Sequence, residues 1–198
     1  MILAAAVAAG VLINTAGFLQ NKASTTSEDS ENQVIVISAT GNVNATSVSY
    51  VDNKVNETTL SVMKSPGADE IDLSKMTIEW VGPDGTETLV YNETTGEAWL
   101  NNSDGSFEFG VSAIKDDGNS LPVLTSKEDR FEITINHTGT LGLNTNNSGS
   151  PNSTALTPLQ GGEEVTLRLV TQSGSTYVYI ANVPKSLSAK GDGEAVEM

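Results

Sequence analysis

The sequence has no cysteine and only one histidine, His137, among 198 residues. Disulfides, thiolate metal sites and cysteine nucleophiles are therefore excluded. Neither a Ser-His-Asp nor a Cys-His arrangement has support, and a metallohydrolase would lack its usual imidazole ligands. No glycine-rich phosphate-binding motif with lysine is present. We therefore expect no enzymatic activity, no catalytic residue and no metal site, with His137 at the surface rather than acting as a base.

Aromatic and basic residues are also scarce. Aromatic residues make up 5% of the chain, and 10 Lys and Arg face 25 Asp and Glu, for a net charge of −15. Because phosphate contacts need Lys and Arg, nucleic acid is disfavoured as a partner. The excess of carboxylates favours solubility through self-repulsion. It also fits life in high salt, where the Debye length falls to about 3 Å near 1 M.

The most distinctive segment present is apolar. Residues 1–19 contain no charged side chain, and their Ala and Leu content predicts a helix, which we place at 1–26 with its polar continuation. A signal peptide would need a basic region upstream of the apolar run. A helix apolar on every face is surrounded by lipid or by other helices, and composition leaves both open. Close helix packing is favoured by three small-xxx-small pairs: Ala4/Ala8, Ala5/Ala9 and Ala6/Gly10.

The remainder of the chain predicts β structure. Residues 27–33 are polar and are predicted to form a hinge before a β domain at 34–198. Seven to nine short strands at roughly ten-residue spacing favour a sandwich. The predicted fold is α+β: a long apolar N-terminal α-helix followed by an immunoglobulin-like antiparallel β-sandwich. Strands are predicted at 34–37, 47–51, 59–62, 76–81, 88–91, 107–109, 131–135, 165–170 and 177–181, with turns at Gly41, 82–85 and 171–175.

Sequons of the form Asn-x-Ser/Thr recur along the chain. A chain rich in Asn and Thr generates some by chance, but seven exceed our expectation and none falls in the apolar segment. Glycans need exposed positions, so the sequons predict an outward-facing domain carrying N-linked glycans on several of them. The candidate sites are Asn44, Asn56, Asn92, Asn101, Asn136, Asn146 and Asn152.

One oxygen-rich segment, Asp116-Asp117-Gly118-Asn119, could hold a hard cation such as Ca²⁺ or Mg²⁺. The spacing and terminal Glu of an EF-hand are absent, so an ordinary turn is the favoured interpretation. No other cofactor is predicted.

Several segments resemble haloarchaeal archaellins, the flagellins of archaea. The apolar stretch Ala8-Ala9-Gly10-Val11-Leu12-Ile13-Asn14-Thr15-Ala16-Gly17-Phe18-Leu19-Gln20 is similar to the family's most recognisable segment. Residues 141–155 match least well and look like a variable insertion. The other similar segments are 38–43, 66–75 continuing to 80–84, Asp129-Arg130-Phe131 and 183–187.

The resemblance implies a structural subunit of the archaellum, an extracellular motility filament. The N-terminal helices would bundle into the core of a helical homopolymer, with the sandwiches outside. Whether a second archaellin co-assembles is left open. The helix would rest in the membrane before assembly, and a motor and assembly machinery would act on the filament. The residues expected to make the filament-core contacts are Ile2, Leu3, Val7, Ala9, Gly10, Val11, Leu12, Ile13, Gly17, Phe18 and Leu19.

Precursors of the resembled family carry a type-IV-pilin-like leader that a peptidase removes. The present sequence begins within the helix, so either residues precede it or processing cannot be read from it, and we expect the helix to start about ten residues earlier. Two alternatives share the apolar helix. One is an adhesive subunit of a type-IV-pilin-like filament, and the other is a membrane-anchored surface sandwich that binds sugar or ions and never polymerises.

Overall fold

The computed structural model describes residues 33–43, 54–92, 107–137, 156–187 and 193–198. The helix predicted at 1–26, nearly all of the hinge and the strand predicted at 47–51 lie outside these residues. Within them the protein is β structure, with one 3₁₀ turn at Leu73–Lys75 and no α-helix. The β part of the predicted fold class is thus confirmed, whereas the helix and the three-part division of the chain stay predictions. No helix among the described residues is long and apolar enough to cross a membrane.

Eleven strands are described. Most alternate buried and exposed side chains, as expected for strands with one face on a core. In chain order they are β1 Val34–Val43, β2 Val55–Lys64, β3 Ile71–Asp72, β4 Thr77–Gly82, β5 Gly85–Tyr91, β6 Phe107–Lys115, β7 Val123–Leu124, β8 Arg130–Asn136, β9 Glu164–Val170, β10 Thr176–Asn182 and β11 Ala195–Glu197.

Nine of the strands form one sheet in the order β10-β9-β4-β5-β6-β8-β2-β1-β11, and β3 pairs with β7 separately. The long sheet folds over on itself, so that β10 packs across β1. The Tyr179 hydroxyl donates to the Met198 carbonyl oxygen at 3.0 Å and joins the two ends. Buried apolar side chains from both halves, including Leu60, Trp80 and Phe131, form a single core. The result is a two-layer sandwich.

One detail of the predicted antiparallel sandwich is wrong. All the other described strand pairs are antiparallel, but β5 and β6 run parallel over Leu89–Tyr91 and Phe107–Phe109. This short parallel pairing joins the β10-β9-β4-β5 half to the β6-β8-β2-β1-β11 half. A parallel pair needs a long connection instead of a tight turn, which the chain supplies between residues 91 and 107.

The two predicted hairpin turns are confirmed. Gly82 pairs with Gly85 at the end of the β4–β5 hairpin, so Pro83 and Asp84 form a two-residue loop. At the β9–β10 turn, the Gly174 N–H donates to the Thr171 carbonyl at 2.9 Å. Gly174 has a φ of 88°, a conformation that glycine adopts without steric cost.

The turn predicted at Gly41 is wrong. Gly41 lies inside β1, where it pairs with Thr58 on one side and Val196 on the other. A Cβ at this position would lie 2.6 Å from both Val55 Cγ1 and Met198 Sδ. Glycine is therefore required here by close packing over the backbone and not by a turn.

We expect Gly41→Ala to destabilise the domain by about 1–2 kcal/mol, because the added methyl overpacks the contact with Val55. The cost stays in the lower part of the range for overpacked cores because the Met198 side chain is flexible. Gly118→Ala is the matched control, since its nearest neighbouring atom would be 3.8 Å from the new Cβ. Urea titration of both variants checks the expectation, and equal stabilities would contradict it.

Candidate functional site

A polar cluster lies at one end of the sandwich core. The His137 N–H donates to the Asn56 carbonyl at 2.8 Å, which extends the β2–β8 pairing by one step. His137 and Asn56 therefore point to the same inner face, and they are 0% and 2% exposed. The Trp80 ring from the opposite layer lies 4.7 Å from the imidazole, centroid to centroid. The prediction of a surface His137 is thus wrong, because strand alternation turns its side chain into the core.

The imidazole of His137 is held neutral by its surroundings. Burial lowers the pKa of His137 to about 4, against the opposing effect of its hydrogen bond to the Val55 carbonyl. Its Nδ1 lies 3.3 Å from that carbonyl oxygen, which assigns the ring proton to Nδ1. His137 Nε2, Trp80 Nε1 and Asn56 Oδ1 are buried without a hydrogen-bond partner. A neutral ring buried away from solvent cannot exchange protons with a substrate, so this cluster belongs to the packed core and is not a reactive site.

Three of the seven candidate glycosylation sites lie in the described residues. Asn136 ends β8 and pairs with Glu57 on the outer face of the sheet, where it is partly exposed. Asn56 and Asn92 are 2% and 4% exposed. A side chain packed inside the folded domain has no room for a sugar, so burial argues against glycans on these two asparagines.

The other predicted site residues lie outside the described residues. They include the sequons at Asn44, Asn101, Asn146 and Asn152 and every predicted filament-core contact from Ile2 to Leu19. Their roles remain predictions from the sequence.

The segment at Asp116 forms the ordinary turn that was favoured. The Asp116 carboxylate accepts hydrogen bonds from the Ser120 N–H at 3.0 Å and the Leu121 N–H at 3.0 Å. These bonds, the one from the Ser120 N–H first, lower the pKa of Asp116. Asn119 completes the turn with a φ of 50°. In the described part of the chain, no group of three or more His, Asp or Glu side chains could hold a metal ion.

A second carboxylate organises the loop before β8 and was not predicted from the sequence. Asp129 is 1% exposed, and its Oδ2 accepts from the Ser126 N–H at 2.7 Å and the Thr125 N–H at 2.9 Å. The bonds tie the loop to the start of β8 beside Arg130 and Phe131. The segment that resembles archaellins at this point therefore has a structural role.

The outer face of the β10-β9-β4-β5 layer is also a surface that the sequence did not single out. Val178 and Ile180 on β10 are each 51% exposed, and Val81 on β4 is 42% exposed. Their neighbours in register are mostly threonines, so this face offers contact area and hydrogen-bonding groups but no reactive chemistry. A face of this composition suits contact with another macromolecule.

Comparison with known proteins assigns the chain to a family. The model of the family described as archaeal-type flagellin matches residues 1–180. Flagellin B2 of Halobacterium salinarum is 41% identical over 194 residues, covering 96% of this chain and 85% of that protein. Flagellin A2 of Haloferax volcanii is 35% identical over 208 residues, covering 100% of this chain and 90% of its own length.

Two solved structures share the fold. Archaeal flagellin FlaB1 from Methanocaldococcus jannaschii superposes with a TM-score of 0.57 and 17% identity, covering 83% of this chain and 94% of that one. The archaeal flagellum of Methanospirillum hungatei gives 0.50 and 14%, with 100% and 92% covered. Since the family model spans most of the sequence, and relatives of more than 30% identity match along nearly all of it, the chain belongs to the archaeal-type flagellin family.

Proposed function

We propose that this chain polymerises through its N-terminal segment, with the sandwich forming the outer wall of an archaellum filament. The observation that carries the proposal is the family match, which spans the apolar segment and the sandwich together. Members of the family are structural subunits of the archaellum, so the chain is a component of an extracellular motility filament and not an enzyme.

The composition of residues 1–19 supports the assembly role given to them. Their nine larger apolar side chains would contribute on the order of 15–25 kcal/mol gross if buried among neighbouring copies, before entropy costs. Head-to-tail contacts that do not close generate an open filament of this kind. The same segment would reside in the membrane before assembly, since it carries no charged side chain.

The relatives also bear on partners and environment. Halobacterium salinarum has several matching flagellins, among them A2, B1, B2 and B3, so co-assembly with a second archaellin is part of the proposal. The proposal also includes contact of the filament with the archaellum motor and assembly machinery. The net charge of −15 and the salt-loving relatives together support filaments adapted to high salt.

Electron microscopy of material sheared from cells that produce this chain, with mass spectrometry of the same sample, tests the proposal. We expect thin filaments that contain this polypeptide, together with loss of swimming when the gene is deleted. Filaments whose loss affects attachment but not swimming would favour the adhesive alternative. A chain that stays in the membrane fraction without filaments would favour the anchored sandwich.

We also propose that the filament surface is N-glycosylated at Asn136, which is partly exposed, and at the sequons outside the described residues, Asn44, Asn101, Asn146 and Asn152. Asn136 and Asn56 form a matched pair, because they lie one step apart on adjacent strands and face opposite sides of the sheet. We expect added mass on the peptide containing Asn136 and none on the peptide containing Asn56. Mass spectrometry of filament protein measures both, and substantial glycan on Asn56 would contradict this assignment.

A further inference from the structure

The outer face of the β10-β9-β4-β5 layer contains a block of twelve side chains in register. Each of three rows crosses four strands, and every position in the block points away from the core. The block is defined by Thr176, Val170, Thr77 and Val90 in the first row, Val178, Arg168, Glu79 and Thr88 in the second, and Ile180, Thr166, Val81 and Thr86 in the third.

The composition of this block differs from that of the chain. Ten of its twelve side chains are Thr, Val or Ile. Its only charges, Arg168 and Glu79, form an ion pair at 3.0 Å in its middle row, so the block has no net charge. The chain as a whole carries −15. The outer face of the other layer, in contrast, includes Glu57 and Glu132.

The edge of the block lacks the usual protection. β10 is an end strand of the sheet and contains no charged residue, while Val178 and Ile180 are each 51% exposed. Edge strands that face only water normally carry charged side chains, especially Lys, or a proline, which prevent pairing with other chains. Among the described residues, β10 therefore presents an uncharged apolar edge on a strongly acidic protein, as expected of a strand that packs against another molecule.

We infer that this block is a contact surface for a neighbouring copy of the same chain in the filament, an inference that rests on the proposed function. Two copies that each carry a net charge of −15 repel one another. The repulsion across a contact is weakest where carboxylates are absent or already paired. The block meets that condition through its neutral composition and its internal Arg168–Glu79 pair. It also has the charge depletion that marks the centres of protein interfaces.

The block is too small to hold two copies together by itself, so it can act as a contact only within a polymer. Three rows and four strands span about 14 Å in each direction, and their side chains cover on the order of 300–400 Å². Twice that area is well below the roughly 1,200–2,000 Å² that a stable complex buries. The contact therefore adds to assembly by the N-terminal segment, because tethering gives neighbouring sandwiches a high effective concentration.

Thiol accessibility tests the inference cleanly because the native chain has no cysteine. We compare Ile180→Cys with Ser112→Cys, an exposed position on β6 in the other layer. In intact filaments, the thiol of Ile180→Cys should react with a mass-tagged maleimide at least about tenfold more slowly than in subunits dissociated by detergent with the sandwich still folded, because the neighbouring copy excludes water. The thiol of Ser112→Cys should react at similar rates in both states.

Two outcomes overturn the inference while leaving the proposed function intact. The first is rapid reaction of Ile180→Cys within intact filaments. The second is slow reaction that persists after dissociation, since the position is then covered by its own chain. A wild-type chain that forms no filaments would instead overturn the proposed function.

A charge substitution supplies an independent measurement. Ile180→Lys should give short filaments or none, whereas Ser112→Lys should leave filament length unchanged. Both variants reduce the net negative charge equally, so general repulsion between subunits cannot explain a difference. The lysine stem can still cover the strand surface, and the exposed site keeps the fold intact. Filaments of normal length from Ile180→Lys would overturn the inference.

Discussion

Gly10→Leu and Ala9→Leu are each expected to abolish filament formation while leaving the sandwich folded. Gly10 closes the Ala6/Gly10 small-xxx-small pair, and Ala9 closes Ala5/Ala9. Such pairs let two helix backbones approach closely, and a leucine side chain at that contact forces them apart. In a polymer the same contact recurs at every subunit, so a modest cost at one position is multiplied along the filament.

Ile13→Leu is the matched control, because it changes shape but not volume at a larger apolar position in the same segment. Electron microscopy of the sheared fraction and swimming in soft agar report assembly. Protease resistance of the β domain in the membrane fraction reports folding. Filaments of normal length from either leucine variant would show that residues 9 and 10 do not lie at a close helix contact.

Local sequence signals predicted the strands of hairpins, because the turn residues lie directly between the two strands. The β4–β5 hairpin was visible because alternating residues flank Gly82-Pro83-Asp84-Gly85, and the β9–β10 hairpin because a loop ending in Gly174-Ser175 joins two apolar runs. Both turns are two to five residues long, so everything needed to specify them lies within one window. The strand at 59–62 was predicted from the alternation of its apolar and polar residues.

Features that depend on distant residues were missed. A turn was predicted at Gly41 because glycine is common in turns. Glycine is needed there because Val55 and Met198 leave no room for a side chain, and both residues are too far away in the sequence to be seen in a local window. The short strand β11 is held by pairing with β1, more than 150 residues earlier in the chain, and has little propensity signal of its own. The parallel β5–β6 pair joins strands whose connection gives no indication of direction.

The wrong prediction of a surface position for His137 could have been avoided from the sequence. Phe131, Ile133 and Ile135 alternate inward on β8, and one further step of the same period reaches residue 137. The polar neighbours of His137 suggested a surface position, but the alternation continues through the hydrogen bond from its N–H to Asn56. Periodicity was a better guide than the character of the adjacent side chains.

The assembly surfaces and the core of the subunit are separate, so the two can be perturbed separately. Ile180 and its row lie on the outer face of one layer, while the Trp80–His137 cluster fills the inner face at one end. Substitutions at the first surface should change filaments without changing domain stability. Substitutions in the cluster should change domain stability, and filaments only through it.

Acidification should weaken the sandwich through His137. The folded domain holds the ring neutral with a pKa of about 4, against 6.5 for an unperturbed histidine. As the pH falls below 6.5, His137 of the unfolded chain becomes protonated while His137 of the folded domain stays neutral. The contribution of His137 to the free energy of unfolding is therefore fully present well above pH 6.5 and is lost progressively down to about pH 4. Between pH 7.5 and 4.5 the loss from this residue alone is about 2.5 kcal/mol.

His137→Asn isolates that contribution, because the Asn amide does not titrate and its N–H₂ can replace the Nδ1–H donor to the Val55 carbonyl. The variant loses the ring contact with Trp80 and is less stable at every pH, but its stability should fall by about 2.5 kcal/mol less than that of the wild type. The carboxylates of Asp72 and Asp116 have lowered pKa values, so their contributions to the free energy of unfolding are lost only below the range of pH 7.5 to 4.5. Urea titrations at pH 7.5 and 4.5 in constant high salt, with subunits kept apart in detergent and tryptophan fluorescence as the signal, measure the difference. Equal losses in the two proteins would show that the buried imidazole is not the group that senses acid.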